Sequence, residues 1–171
     1  MSTWLAWLLF LPPWLLLMFL EPERKRRFTA VALLACLCST VTFQMAVKLD
    51  WWTVTGNIFY FTQISAFVYG FLPVAALISF YWTYPNLWLY FGLNLSIDAV
   101  QAYVISRHIF EKAGFYQLTG MSRTGLFMLE TFVSVLLYLF QVWLERGRHG
   151  EGDEVPMERW LRRWSFRAKA R

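Results

Sequence analysis

Two carboxylic acids stand inside otherwise uncharged apolar runs: Asp98 within residues 87–106 and Glu130 within residues 124–144. An ionised group near the centre of a bilayer costs about 2.5–3.5 kcal/mol on insertion scales, so such a residue normally faces protein or water. Asn94, Asp98 and Gln101 are spaced i, i+4 and i+7, which puts all three on one helical face. Glu130, Ser134 and Gln141 share a face in the same way. At the helical rise, Asp98 lies about 12 Å and Glu130 about 9 Å from the same end of their runs. Gln63 lies about 8 Å from that end of its own run, and Gln44 is shallower still. The spacing predicts a polar cluster of Gln63, Asn94, Asp98, Gln101 and Glu130 in one half of a helix bundle. Such a cluster can be structural glue, with interhelical hydrogen bonds contributing about 0.6 kcal/mol each and the two acids sharing protons. It can also hold a proton, a cation or a lipid head group.

Other chemistry-bearing residues have plainer readings. Cys36 and Cys38 form C-x-C inside an apolar run, with no nearby His or Cys to complete a metal site, and read as packing. His108 sits just outside the fourth run and reads as an interfacial residue, and His149 as part of a polar hinge. No nucleophile motif, P-loop or dinucleotide fingerprint is present, so no residue is assigned a catalytic role and no metal or other cofactor is expected.

The elements that must position the cluster follow from composition. Of 171 residues, 58% are hydrophobic, 20% aromatic and only 16% charged, too apolar for an ordinary soluble domain. Two cysteines exclude a disulfide scaffold. The charges fall in short blocks between runs long enough to cross a bilayer. The fold expected is an all-α, polytopic membrane bundle over residues 1–144, with spans at about 3–20, 28–47, 58–82, 87–106 and 124–144. Pro12-Pro13 and Pro73 predict kinks in the first and third. Trp51-Trp52 reads as an interfacial anchor. Ala66-x-x-x-Gly70 and Gly92-x-x-x-Ser96 fit the spacing for close helix approach.

Residues 145–171 form a basic tail. From Pro156, a helix over about 156–169 carries an apolar stripe with Trp160 and Trp164, flanked by Arg159, Arg162, Arg163 and Arg167. That pattern suits a helix lying on anionic head groups. Membrane proximity accounts for the basic residues without nucleic acid. Twelve of the 16 Lys and Arg fall in the block 24–27 and the tail, which five spans place on one side. The basic-residue rule then sets the N-terminus outside and the C-terminus in the cytoplasm of an inner membrane.

Residues 20–144 resemble a family of small five-span membrane proteins of Gram-positive, spore-forming bacteria for which no activity is established. The likeness rests on Glu23-Arg24-Lys25-Arg26-Arg27-Phe28, Trp51-Trp52, Leu72-Pro73-Val74 with the aromatics up to Tyr84-Pro85, and the acid-bearing fourth run leading to Gly114-Phe115-Tyr116. The basic tail is not part of that pattern. The resemblance implies an inner-membrane location and five spans but no reaction. The preferred expectation is a non-enzymatic structural or assembly protein, packing against a second copy or another membrane subunit. The alternative is a small transport, proton- or cation-coupled or lipid-handling protein that uses Asp98 and Glu130.

Overall fold

The computed structural model of the chain describes residues 3–54, 66–114 and 116–148. It is mostly helical, with one two-stranded ribbon as the departure from an all-α fold. The first apolar run is not a single kinked span. It is a short helix α1 (Thr3–Phe10), a second α2 (Pro12–Leu16) and a 3-10 turn at Leu17–Phe19. The break falls at Leu11, because two successive prolines supply no N–H to bond back into the preceding turn. The segment is nevertheless tied into the bundle. Trp14 Nε1 donates to the Tyr69 carbonyl at 3.2 Å, and Lys25 Nζ donates to the Leu17 carbonyl at 3.1 Å. Gly70 lets it approach: a Cβ there would lie 2.2 Å from the Leu9 carbonyl oxygen.

Helix α3 (Pro22–Lys48) starts with Pro at its first position and Glu23 in its first turn, where the missing N–H is harmless and the dipole favours an acid. It ends on Asp50 in the left-handed region (φ 53°), with the Trp51 N–H closing on the Ala46 carbonyl at 2.8 Å. Strand β1 (Trp52–Val54) follows, then a 3-10 turn at Ala66–Val68 and helix α4 (Phe71–Thr83). After a cis Tyr84-Pro85 bond, Asn86 caps α5 (Leu87–Val100) by accepting from the Leu89 N–H. The rod continues through a π-helical stretch, Gln101–Phe110, into the short α6 (Glu111–Ala113), and ends at Gly114, whose φ of 70° suits glycine. The fourth run is thus helical well past residue 106. Strand β2 (Tyr116–Leu118) pairs antiparallel with β1, Thr53 opposite Gln117, and α7 (Arg123–Arg148) completes the bundle.

Among the described residues, two helices are long and apolar enough to cross a membrane, Pro22–Lys48 and Arg123–Gly147, where five spans were expected. The first run fails on its proline break. Of the third run, the 13-residue α4 is a shorter apolar helix. The fourth changes from α to π pitch at Gln101, so neither part alone has the length.

Two aromatic clusters organise the interior. At the ribbon end, Phe43 packs edge-on to Trp52 (5.0 Å between centroids) and Phe67 stacks on Phe110 (5.0 Å). At the opposite, basic end, Phe80, Tyr90 and Tyr138 meet at 4.6 and 5.0 Å, joined by Phe28 and Tyr84. Trp52 is 3% exposed, so it is a core residue and not the interfacial anchor expected of it. The alternation of β1 turns it inward.

Candidate functional site

A cavity of about 230 Å³ lies among α3, α4, α5 and α7. Asn94, Asp98 and Gln101 reach it from one face of α5 and the start of the π stretch, and Glu130 and Ser134 reach it from α7. Most of the remaining wall is apolar, with Trp52, Phe67, Phe110 and Tyr116 at the ribbon end and Ala35 and Leu137 on the other side. The helical spacings i, i+4 and i+7 on α5 deliver this directly, because they stack three side chains on one face. The ribbon then folds Trp52 and Tyr116 onto the wall; their rings lie 5.9 Å apart.

The hydrogen bonds around the cavity leave the acids poorly matched. Asp98 is 9% exposed, and Ser134 Oγ donates to its Oδ2 at 3.5 Å, a long bond. Asn94 spends its amide elsewhere, donating to Ser79 Oγ at 3.0 Å and to the Tyr90 carbonyl at 2.8 Å. Glu130 Oε2 is buried with no hydrogen-bond partner among the described residues. An unmatched buried polar oxygen costs on the order of 1–3 kcal/mol unless something else satisfies it.

Other polar residues singled out in the sequence lie elsewhere. Gln44 is exposed and takes no part. Gln141 belongs to the same stripe of α7 as Ser134 but sits two turns lower, where its Nε2 donates to Glu145 Oε1 at 2.9 Å. His108 is exposed, and Cys36 and Cys38 are half-buried away from the cavity wall. Gln63, Trp160, Trp164, Arg159, Arg162, Arg163 and Arg167 lie outside the described residues.

Sequence reasoning missed a second polar centre at the basic end. Arg27 grips Glu145 with two bonds, Nε to Oε1 and Nη2 to Oε2, and the Glu145 side chain is 3% exposed. The guanidinium lies 5.3 Å from the Tyr84 ring centroid, and Arg24 lies 4.6 Å from that of Tyr81. Burial, followed by the nearby Glu145 carboxylate, pushes the Tyr84 phenol well above its ordinary range. Bidentate geometry of this kind is the strongest form of ion pair. It pins the start of α3 to the last turns of α7. The basic cluster 24–27 was visible in sequence as a charge block; its partner was not, because Glu145 lies 118 residues away.

At the ribbon end, Arg123 Nη2 pairs with Glu111 at 3.2 Å. Burial pushes the Tyr116 phenol up to about 12. The fold and site together define a helical bundle with two helices of membrane-crossing length and an internal, carboxyl-lined cavity. The chain matches no protein-family model, no curated protein sequence and no solved structure.

Proposed function

We propose that the chain is a five-span protein of the bacterial inner membrane, N-terminus outside and C-terminus cytoplasmic, which holds a small cation or a proton at Asp98 and Glu130. No bond-making step is part of this role. The observation that carries it is the cavity that both acidic residues line, beside which Glu130 Oε2 is buried and unmatched among the described residues. Acids serving as glue would be spent on direct partners, as Glu145 is spent on Arg27. The volume argues for a small occupant: about 230 Å³ falls below the roughly 300–1,000 Å³ of sites that take drug-sized molecules.

The membrane placement has its own support. Arg24, Arg26, Arg27 and Arg146 gather at one end of the bundle, as the excess of basic residues on cytoplasmic loops requires. At that same end Trp82, Trp88 and Trp143 are 66–68% exposed, which fits an aromatic belt at a head-group boundary. The resemblance to the five-span family of spore-forming bacteria agrees with this placement. Helix α4 supplies the cytoplasmic half of the third span, and the continuous rod of α5 and the π stretch supplies the fourth.

The test is thermal unfolding of the purified chain with sodium, potassium or ammonium and across pH. A ligand that binds only the folded state raises the melting point by mass action. One of these probes stabilises the wild type and leaves Asp98→Asn/Glu130→Gln unchanged. If no probe separates the two proteins, the carboxyl groups serve packing or assembly and the proposal fails.

A further inference from the structure

We propose that the groove between α5 and α7 at the basic end binds one anionic phospholipid of the cytoplasmic leaflet. This rests on the membrane orientation above but not on the cavity at Asp98 and Glu130. The groove holds about 470 Å³, and its walls are apolar, formed by Leu87 and Phe91 on α5 and by Val135, Leu139 and Val142 on α7. Among the described residues, Arg146 is the one charged residue that lines it, and it stands at the groove's end.

Length and charge point to the occupant. From Val135 to Arg146, α7 rises about 16 Å, close to the roughly 15 Å of one leaflet of a 30 Å hydrocarbon core. An apolar wall of that length with one arginine at its end matches an anionic head group followed by an acyl chain. The lipid phosphate then arrives at Arg146, level with the exposed Trp143 that marks the head-group boundary. An arginine carries five N–H donors in a fork suited to phosphate oxygens, so it takes a phosphate alongside its other contacts. Basic residues beside grooves between membrane helices are the general form of anionic lipid recognition.

The test is native mass spectrometry of the full chain, extracted in detergent and equilibrated with equal phosphatidylglycerol and phosphatidylcholine. The wild type retains phosphatidylglycerol in preference. Arg146→Gln lowers that preference about fivefold, the effect of one basic residue at an anionic surface. Leu139→Trp fills the groove at an exposed position and removes the retained lipid. Leu33→Trp, the same change on an exposed face of α3, retains it, as does Asp98→Asn/Glu130→Gln. Equal retention in wild type, Arg146→Gln and Leu139→Trp overturns the proposal. So does retention lost in Arg146→Gln but kept in Leu139→Trp, which reports a head-group contact without the groove. Disulfide formation between copies carrying Leu139→Cys would show a second chain in place of the lipid and also overturns it. Failure of the membrane placement is separately visible, as wild-type chain recovered without detergent.

Discussion

The two buried acidic centres of this protein are built from similar parts and finished differently. At the basic end, Glu145 accepts two bonds from Arg27 and a third from Gln141, inside a ring of tyrosines. In the cavity wall, Asp98 takes a long bond from Ser134 beside the Thr131 hydroxyl, and Glu130 keeps one oxygen unmatched. Both centres couple α7 to another part of the bundle. Only the first is arranged so that every charge has an opposite. A buried acid with a complete set of partners fixes structure, whereas one beside a cavity with a partner missing is poised for something that arrives.

Breaking the complete centre therefore has the largest effect. Arg27→Met leaves the Glu145 carboxylate buried without its counter-ion, and removing one member of a buried pair is strongly destabilising. The expected loss is about 3 kcal/mol in denaturant unfolding of the purified chain. Arg27→Met/Glu145→Leu recovers much of it, because no lone charge then remains. If Arg27→Met unfolds like the wild type, the ion pair does not hold α3 to α7 and the contrast is lost.

A somewhat smaller effect is expected at Gly70, where the first segment meets the ribbon-end half. A methyl group there would meet the Leu9 carbonyl and the Phe10 backbone within 2.6 Å, and backbone cannot give way as a side-chain tip can. Gly70→Ala should cost about 2 kcal/mol, as overpacking does. Gly92→Ala, with nothing near its added methyl, should cost nothing measurable and serves as the control because that face is open. Equal stabilities for the two variants would show that the segment before α3 does not pack on Gly70.

Alkaline pH also separates the two ends, by the pH at which the loss of stability stops. Tyr116 at the ribbon end stays neutral in the fold up to about 12, against about 10 in the unfolded chain. Below pH 10 both states keep the proton and stability is unaffected. Between 10 and 12 the unfolded chain releases it and the folded chain does not, so stability falls by about 1.4 kcal/mol per pH unit. Tyr84 at the basic end is held higher still, so its share of the loss continues at more alkaline pH. Tyr116→Phe should flatten the fall between pH 10 and 12. An unchanged pH profile in that variant would mean that Tyr116 is not the group responsible.

Much of the cavity was legible in the sequence, and almost none of the basic-end network was. Asn94, Asp98 and Gln101 are near neighbours in sequence, and helical periodicity alone brings them to one wall. Glu130 and Ser134 follow the same rule on α7. Arg27 and Glu145 obey no local rule, since their meeting depends on how α3 and α7 cross. Gln141 shares a helical face with Glu130 and Ser134, but periodicity gives a face and not a height, and height sends it to Glu145. Trp52 was misread for a related reason: a three-residue strand, invisible as a pattern, decides which way it points. Apolar run length also overcounted continuous helices, because Pro12-Pro13 and the change to π pitch at Gln101 interrupt rods that hydrophobicity leaves whole.

The smallest effect is the one that bears most directly on function. Asp98→Asn/Glu130→Gln replaces both cavity acids with neutral groups of the same shape. If the acids were fastenings, the change would remove interhelical bonds and cost stability on the scale of Arg27→Met. The geometry predicts otherwise, because Asp98 meets α7 through the 3.5 Å contact from Ser134 and the neighbouring Thr131 hydroxyl, and an amide oxygen can still accept from both. Unfolding without added cation should therefore shift by less than about 1 kcal/mol, the scale of one ordinary hydrogen bond. A loss as large as that of Arg27→Met would make the cavity a second structural joint, and the distinction between a finished centre and an open one would go with it.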